Sequence, residues 1–481
     1  MSFKSRLLGG TTWITLAEAL ILPTGFLTLT FLTRQLGAEG YGLFALAATL
    51  VAWIEWGLNS VFARTTIKFV SESENPDTIA TAVLRAQLGC GLLAALLVML
   101  AAPAIATRLH EPTLTQLLRL FALEIPLVNL AQAHQNILAG MGKFGARAMA
   151  TAVRWIARLV FIVWLVTLGF SITGAILGSL AAMLADVVIC RFYIQPSLWY
   201  LRGRASTFPL KTLAGYAVPL FLAALSTRLT AKLDLIALKA LGGTAEQAGI
   251  YAVAQNLALL GGMMSPALAP VLIATVSQLR SQGDTAQVKS LSGSAMRVVI
   301  LHLPFAGLLV GSAGEIVPML FGQPFLSAAP LFSMLIFATI GSVMIAVTSA
   351  ILVASDNPQW TAVLTVPMPI VALMGHWLLV PKLGSMGAAV TTLGVAGAGA
   401  IAGVIAVYLR WQVWPPGMTW VRSALVCGLV GAISQYWSTP GIWLLLKLPV
   451  LGIVIVLLLW ALGEITQADK ALLRSYLKQS P

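Results

Sequence analysis

The sequence predicts an all-α polytopic membrane protein of about 14 transmembrane helices, arranged as two parallel six-helix bundles plus two extra C-terminal helices. Three observations lead there. Of the 481 residues, 59% are apolar and 9% charged, with a mean hydropathy of +0.91, more than an ordinary water-facing surface can absorb. Apolar runs near the roughly 20 residues that a bilayer-crossing helix needs recur from residue 11 to residue 463. Lysines and arginines fall unevenly among the breaks between those runs.

Read between polar or Gly/Pro breaks, the first six spans are 11–33, 41–63, 82–106, 117–139, 150–169 and 172–194. The next six are 212–238, 246–270, 292–319, 329–353, 360–380 and 385–409, and 420–437 and 441–462 complete the set. Lys4 and Arg6 precede the first span as in a signal peptide, but no small-residue cleavage site comes before Arg34, so that span is expected to remain.

With a cytoplasmic N-terminus, the regions on the cytoplasmic side hold Lys4, Arg6, Arg64, Lys68, Lys143, Arg147, Arg191, Arg202, Arg204, Lys211, Arg280, Lys289, Arg297, Arg410, Arg422, Lys470, Arg474 and Lys478. The opposite loops hold Arg34, Arg108, Lys239 and Lys382. Cytoplasmic loops carry the excess of positive charge, so both termini are expected inside. The same asymmetry accounts for most of the net charge of +13, and no nucleic-acid partner is needed to explain it.

Internal similarity divides the spans. Gly42-Leu43-Phe44-Ala45-Leu46-Ala47 is echoed by Gly249-Ile250-Tyr251-Ala252-Val253-Ala254, 207 positions on. Pro112 and Pro324, Ile137 and Ile351, and Gly174 and Gly387 pair at offsets of 212, 214 and 213. An even number of spans per copy returns the chain to its starting side, so the halves must be parallel. The domains are therefore expected at 1–205, 206–412 and 413–481.

The stretch "TRQLGAEGYGLFALA" after the first span, Gly57 and Arg64 closing the second, and "ILAGMGKF" after the fourth carry a family resemblance. The chain resembles the multidrug/oligosaccharidyl-lipid/polysaccharide exporter superfamily, and within it the polysaccharide and O-antigen flippases of the Wzx type. The resemblance implies a V-shaped pair of bundles that opens alternately to the two sides. It implies translocation of an undecaprenyl-pyrophosphate-linked oligosaccharide across the bacterial inner membrane for polysaccharide or lipopolysaccharide export, with a polymerase and glycosyltransferases as partners. The two extra helices are similar to those of the fourteen-helix lipid II flippases, where the added pair borders a lipid-facing groove.

Such cargo needs a partly cationic, water-filled cavity, and intramembrane charge is costly enough to mark function or pairing, about 2.5–3.5 kcal/mol per charge on insertion scales. Arg228, Lys232 and Lys239 lie within roughly 40° of one another on the seventh span, with Asp234 off that face. Arg154 and Arg158 lie one turn apart on the fifth. Guanidinium forks suit phosphate, so Arg154, Arg158, Arg228 and Lys232 are the principal substrate-site candidates. Lys239, near a span end, reads more simply as snorkelling to the headgroups. Gln132 and Asn136, on a fourth span that also carries Asn129, His134 and Gln135, offer amides either to glycan hydroxyls or to neighbouring helices. Glu18 and Glu124 are the candidates for a coupling proton, and Asp234 for charge balance, among intramembrane acids read as Glu18, Glu55, Glu124, Asp186 and Asp234. The turn Arg34, Gly37, Gly40, Tyr41 and Gly42 reads as a hinge near a gate, its glycines supplying tight backbone and Tyr41 suiting the wet membrane boundary.

Catalysis finds little support. His110, His134, His302 and His376 are scattered, Cys90, Cys190 and Cys427 have no ligand spacing, and no phosphate-binding loop occurs. No cofactor is expected; an ion gradient or the membrane potential would supply the energy. Two alternatives stand beside the flippase: a cation-coupled multidrug antiporter, which would favour a net acidic cavity, and a polyprenyl-glycan membrane enzyme, which would carry large external loops.

Overall fold

The computed structural model describes residues 17–72, 76–194, 229–230, 232–262, 265–355, 358–439 and 441–464, and these are helical almost throughout. Ten stretches are long and apolar enough to cross a membrane. Two of them, Ala17–Ser71 and Phe144–Tyr193, are twice the length of one crossing. Each is divided at a glycine with positive φ, Gly37 (69°) and Gly169 (94°), where a side chain would be strained. With those divisions the ten stretches hold twelve crossings, and the described residues also include a helical segment at 232–240 and the helices Ala245–Ala258 and Ser265–Ser281.

The chain forms two compact units, Met1–Gly249 and Ile250–Pro481. In the first, α1 (Ile21–Glu72) contains the break at Gly37. It is followed by α2 (Pro76–Arg108), α3 (Leu114–Ala122), α4 (Glu124–Gly140), α5 (Phe144–Leu165) and α6 (Ser171–Tyr193). The expected loop at 34–40 is thus one residue wide. Gly40 and Gly42 are helical, and Gly42 is small for packing rather than for turning: a Cβ there would strike the Ala245 carbonyl. Tyr41 is 5% exposed and its ring lies tilted against Phe44, 6.3 Å between ring centroids, so it is packed inside the protein. The neighbouring aromatic ring and the tight packing around Gly42 enclose it.

Helices α5 and α6 approach closely because Gly178 presents no side chain to the Ile162 backbone; a Cβ would sit 2.7 Å from its nitrogen. Without a hydrophobic drive between helices in lipid, small residues and polar contacts decide such pairings. The polar contacts are here. Arg154 of α5 meets Asp186 of α6 at 3.5 Å, and Gln135 of α4 donates to both Asp186 oxygens at 2.8 and 3.1 Å. Nearer the other end of α4, the Ser179 hydroxyl of α6 donates to Glu124 at 2.6 Å.

In the second unit the order is α7 (Ala245–Ala258, begun in the first), α8 (Ser265–Ser281), α9 (Thr285–Ile300), α10 (Leu303–Gly311), α11 (Ala313–Phe321) and α12 (Ala328–Ala354). Then come α13 (Pro358–Thr365), α14 (Pro367–Leu383), α15 (Ser385–Trp411), α16 (Gly417–Tyr436) and α17 (Leu444–Ala461). The loop expected between 270 and 292 shrinks to a turn at 282–284, so Arg280 and Lys289 sit on helices. Gly307 and Gly311, four apart on α10, face the Cys427 and Gly431 carbonyls of α16, which seats the first extra helix. Outward faces are oily: Leu92, Leu93, Leu96, Leu97 and Leu100 of α2 are each more than half exposed, as lipid contact requires. The protein is a multi-pass membrane protein.

Candidate functional site

Helix α5 organises the candidate site, because its period places Arg147, Thr151, Arg154 and Arg158 along one side. Two cavities of the first unit open onto that side, and Arg154 lines both. The larger, about 240 Å³, is walled by Glu55 of α1, Glu124 and Val128 of α4, and Arg154, Trp155 and Arg158 of α5. The smaller, about 140 Å³, is walled by Glu18, Gln132, Gln135, Arg147 and Thr151 among others.

Trp155 lies between the two cations in sequence and holds both. Each guanidinium carbon is 5.5 Å from its ring centroid, a cation–π distance. Three polar atoms at the larger cavity, Arg158 Nε, Trp155 Nε1 and Glu55 Oε1, are buried and have no hydrogen-bond partner among the described residues. Leaving such a group unpaired costs about 1–3 kcal/mol, so the two donors, Arg158 Nε and Trp155 Nε1, leave hydrogen-bonding capacity open at this cavity.

The structure brings together Arg154, Arg158 and Glu124 at one cavity and Glu18, Gln132 and Arg154 at the other. It separates the remaining candidates. Asn136, 3% exposed, is packed among helices, as are Asn129 and His134, the latter bonded to the Leu130 carbonyl at 2.7 Å. Asp234 is buried and accepts from the Leu235 amide at 2.9 Å. Lys232 is half-buried on the segment 229–240, and Arg228 lies outside the described residues. Lys239 does not snorkel: it is 5% exposed and pairs with Glu111 at 3.0 Å, because that carboxylate is within reach and the headgroups are not needed. Arg34 is exposed at the end of the helix preceding Gly37.

Sequence reasoning overlooked Arg147, assigned to a loop, and Trp155, although the pattern Arg154-Trp155-x-x-Arg158 was readable as an aromatic between one-turn cations. It also passed over Glu315 and Lys447, which pair at 2.8 Å.

A family model described as "Polysaccharide biosynthesis protein" matches residues 31–330. The chain belongs to the polysaccharide biosynthesis protein family. It is 25% identical over 370 residues to the "Probable low-salt glycan biosynthesis flippase Agl15" of Haloferax volcanii, covering 76% of each chain. It is 24% identical to the "Lipopolysaccharide biosynthesis protein WzxC" of Escherichia coli K12, covering 70% of this chain and 67% of that one. Among solved structures, the lipid II flippase MurJ in an inward closed conformation superposes with a TM-score of 0.74 at 15% identity, over 95% of this chain and 99% of MurJ. An inward-facing multidrug resistance transporter of the MATE family gives 0.67 at 16% identity, over 82% and 94%. The fold is therefore the one these two solved transporters share.

Proposed function

We propose that the chain is a flippase for an undecaprenyl-pyrophosphate-linked oligosaccharide, working by alternating access in the inner membrane with both termini cytoplasmic, and that the α5 cavities hold the pyrophosphate end. One observation carries the reading: Arg154 and Arg158 flank Trp155 at a cavity whose buried donors have no partner among the described residues. The family match and the names of the relatives agree with it. The amide-lined cavity beside it, with Gln132, Gln135 and Thr151, suits the first sugar hydroxyls. In the second unit an apolar cavity of about 470 Å³, lined by Val299, Phe337, Ile340, Met344 and Trp420 among others, suits a polyprenyl chain. Energy comes from an ion gradient or the membrane potential, with Glu18 and Glu124 as the proton-accepting groups, and a polymerase and glycosyltransferases act on either side of the transport step.

The test is translocation of a fluorescent undecaprenyl-pyrophosphate oligosaccharide in reconstituted vesicles. Arg158→Ala should slow it roughly 10–100-fold, the equivalent of losing one or two hydrogen bonds to a charged group. Arg158→Lys should recover only part, since an ammonium lacks the bidentate fork. Transport by the alanine variant at the wild-type rate would remove the pyrophosphate from this cavity.

A further inference from the structure

We infer that Glu111 and Lys239 form an electrostatic latch that closes the outer end of the transport path. The inference rests on the alternating-access reading above, and three independent features of the first unit point to it.

The first is the pair itself. Lys239 Nζ lies 3.0 Å from Glu111 Oε2, with side-chain exposures of 5% and 18%. The partners are 128 positions apart, at two loops that the charge asymmetry assigns to the outer side: the corner joining α2 to α3, and the end of the segment 229–240. They belong to different copies of the proposed repeat, which must separate at this end for cargo to leave.

The second is how the backbone aims them. Both helices end in the same 6→1, 5→2 hydrogen-bond pattern around a left-handed residue. At the corner, Glu111 N–H reaches Ala106 O at 2.9 Å and His110 N–H reaches Thr107 O at 3.1 Å. At the segment 229–240, Gly243 N–H reaches Leu238 O at 2.9 Å and Gly242 N–H reaches Lys239 O at 3.3 Å. The left-handed position is Gly242 in one case and His110, φ 52°, in the other. A side chain in that region is strained, and strain of this kind collects at switches where something else holds it. Here the holder is the ion pair on the next residue.

The third is the surface that closes with it. Gly42 of α1 and Gly249 of α7, the residues matched by the internal repeat, meet face to face: a Cβ on Gly42 would strike Ala245 O, and one on Gly249 would strike Ala38 O. At these two glycines the helix backbones touch directly. Such a surface separates without unthreading anything, so the ion pair sets the balance between closed and open. A cavity of about 590 Å³, lined by Glu39, His110, Glu111, Lys239, Thr244 and Glu246 among others, lies beside the pair and lets water reach Glu111 as the pair parts.

Glu39 and Glu246 are exposed on either side of that cavity, which makes them label sites for a distance measurement. The experiment places nitroxide labels at Glu39→Cys and Glu246→Cys in the full-length protein with Cys90, Cys190 and Cys427 replaced, and measures their distance distribution in nanodiscs without cargo. Glu111→Gln and Lys239→Met should each add a longer-distance population, raising the open-to-closed ratio roughly tenfold, and the charge swap Glu111→Lys with Lys239→Glu should return the short distance. An unchanged distribution in both single variants, or a swap no better than either, overturns the latch. Because the readout needs no cargo, its failure is separate from failure of the flippase reading.

Discussion

Lys447 offers a prediction whose magnitude follows from an asymmetry of burial. Its side chain is wholly enclosed, with Nζ 2.8 Å from Glu315 Oε2 and 2.7 Å from the Ser434 carbonyl. Glu315 is 19% exposed and also accepts the Thr439 amide at 2.8 Å. Glu315→Ala therefore strands an ammonium that water cannot reach, and removing one partner of a buried pair costs about 3–5 kcal/mol. Lys447→Met leaves a carboxylate that keeps an amide donor and some water, so its cost should be smaller, about 1–3 kcal/mol. Replacing both by Met and Leu should be milder than Glu315→Ala alone, since apolar substitutes for a buried pair are often neutral. The pair joins α11 to α17, so the loss should appear in thermal unfolding of the detergent-solubilised protein, followed by tryptophan fluorescence at one scan rate. If Lys447→Met is as damaging as Glu315→Ala, or if the double variant loses the sum of the two, the burial asymmetry does not govern this pair.

Two further outcomes are expected. Burial alone would raise the Glu464 carboxyl, but hydrogen bonds from Thr419 (2.6 Å), Arg297 (2.8 Å) and Arg422 (3.0 Å) outweigh it and hold the group below the ordinary carboxylate range. A depressed carboxyl stabilises above its unfolded pKa and loses that stabilisation as pH falls through the folded value, so the stability gap between wild type and Glu464→Gln should be constant from about pH 8 to 5 and shrink below about pH 4.3; a gap that grows on acidification would reverse the sign. At His110, where φ is 52°, His110→Val should lower the unfolding temperature by the equivalent of about 1–2 kcal/mol, whereas His110→Gly should be near neutral; equal losses in the two would show that the left-handed backbone is not the cause.

How far the sequence was legible depended on the range of the interaction. Span existence is written in runs of adjacent residues, so the apolar spans among the described residues were legible, and the errors lie where a break is narrower than its glycines suggest. Gly37, Gly40 and Gly42 read alike as turn formers, yet Gly37 alone has a positive φ, Gly42 serves a helix contact more than 200 positions away, and Gly40 is ordinary helix. Arg154 and Arg158 were found because one helical turn separates them. Asp186, which holds Arg154, lies 32 positions on, on another helix, and nothing in a periodic pattern selects it over Glu55 or Glu18. Lys239 and Glu111 failed for the same reason, across 128 positions. The seating of α16 was a missed local signal: Gly307 and Gly311 are spaced as helix-contact glycines in membranes often are.

The larger α5 cavity also shows how a membrane protein can keep two guanidiniums without cargo. Arg154 has Asp186, and the wall that carries Arg158 carries Glu55 and Glu124 as well. Two carboxyl groups and two guanidiniums therefore line this cavity. An unbalanced pair of arginines would bind a pyrophosphate tightly and release it slowly, whereas a transporter needs binding strong enough to load and weak enough to unload. In the proposed flippase, the diphosphate competes with Glu55 and Glu124 for Arg158, and each acid it displaces lowers the net affinity. On this account Glu55→Gln should tighten binding of the lipid diphosphate while slowing its release, the opposite of what a residue that contacts the sugar directly would do.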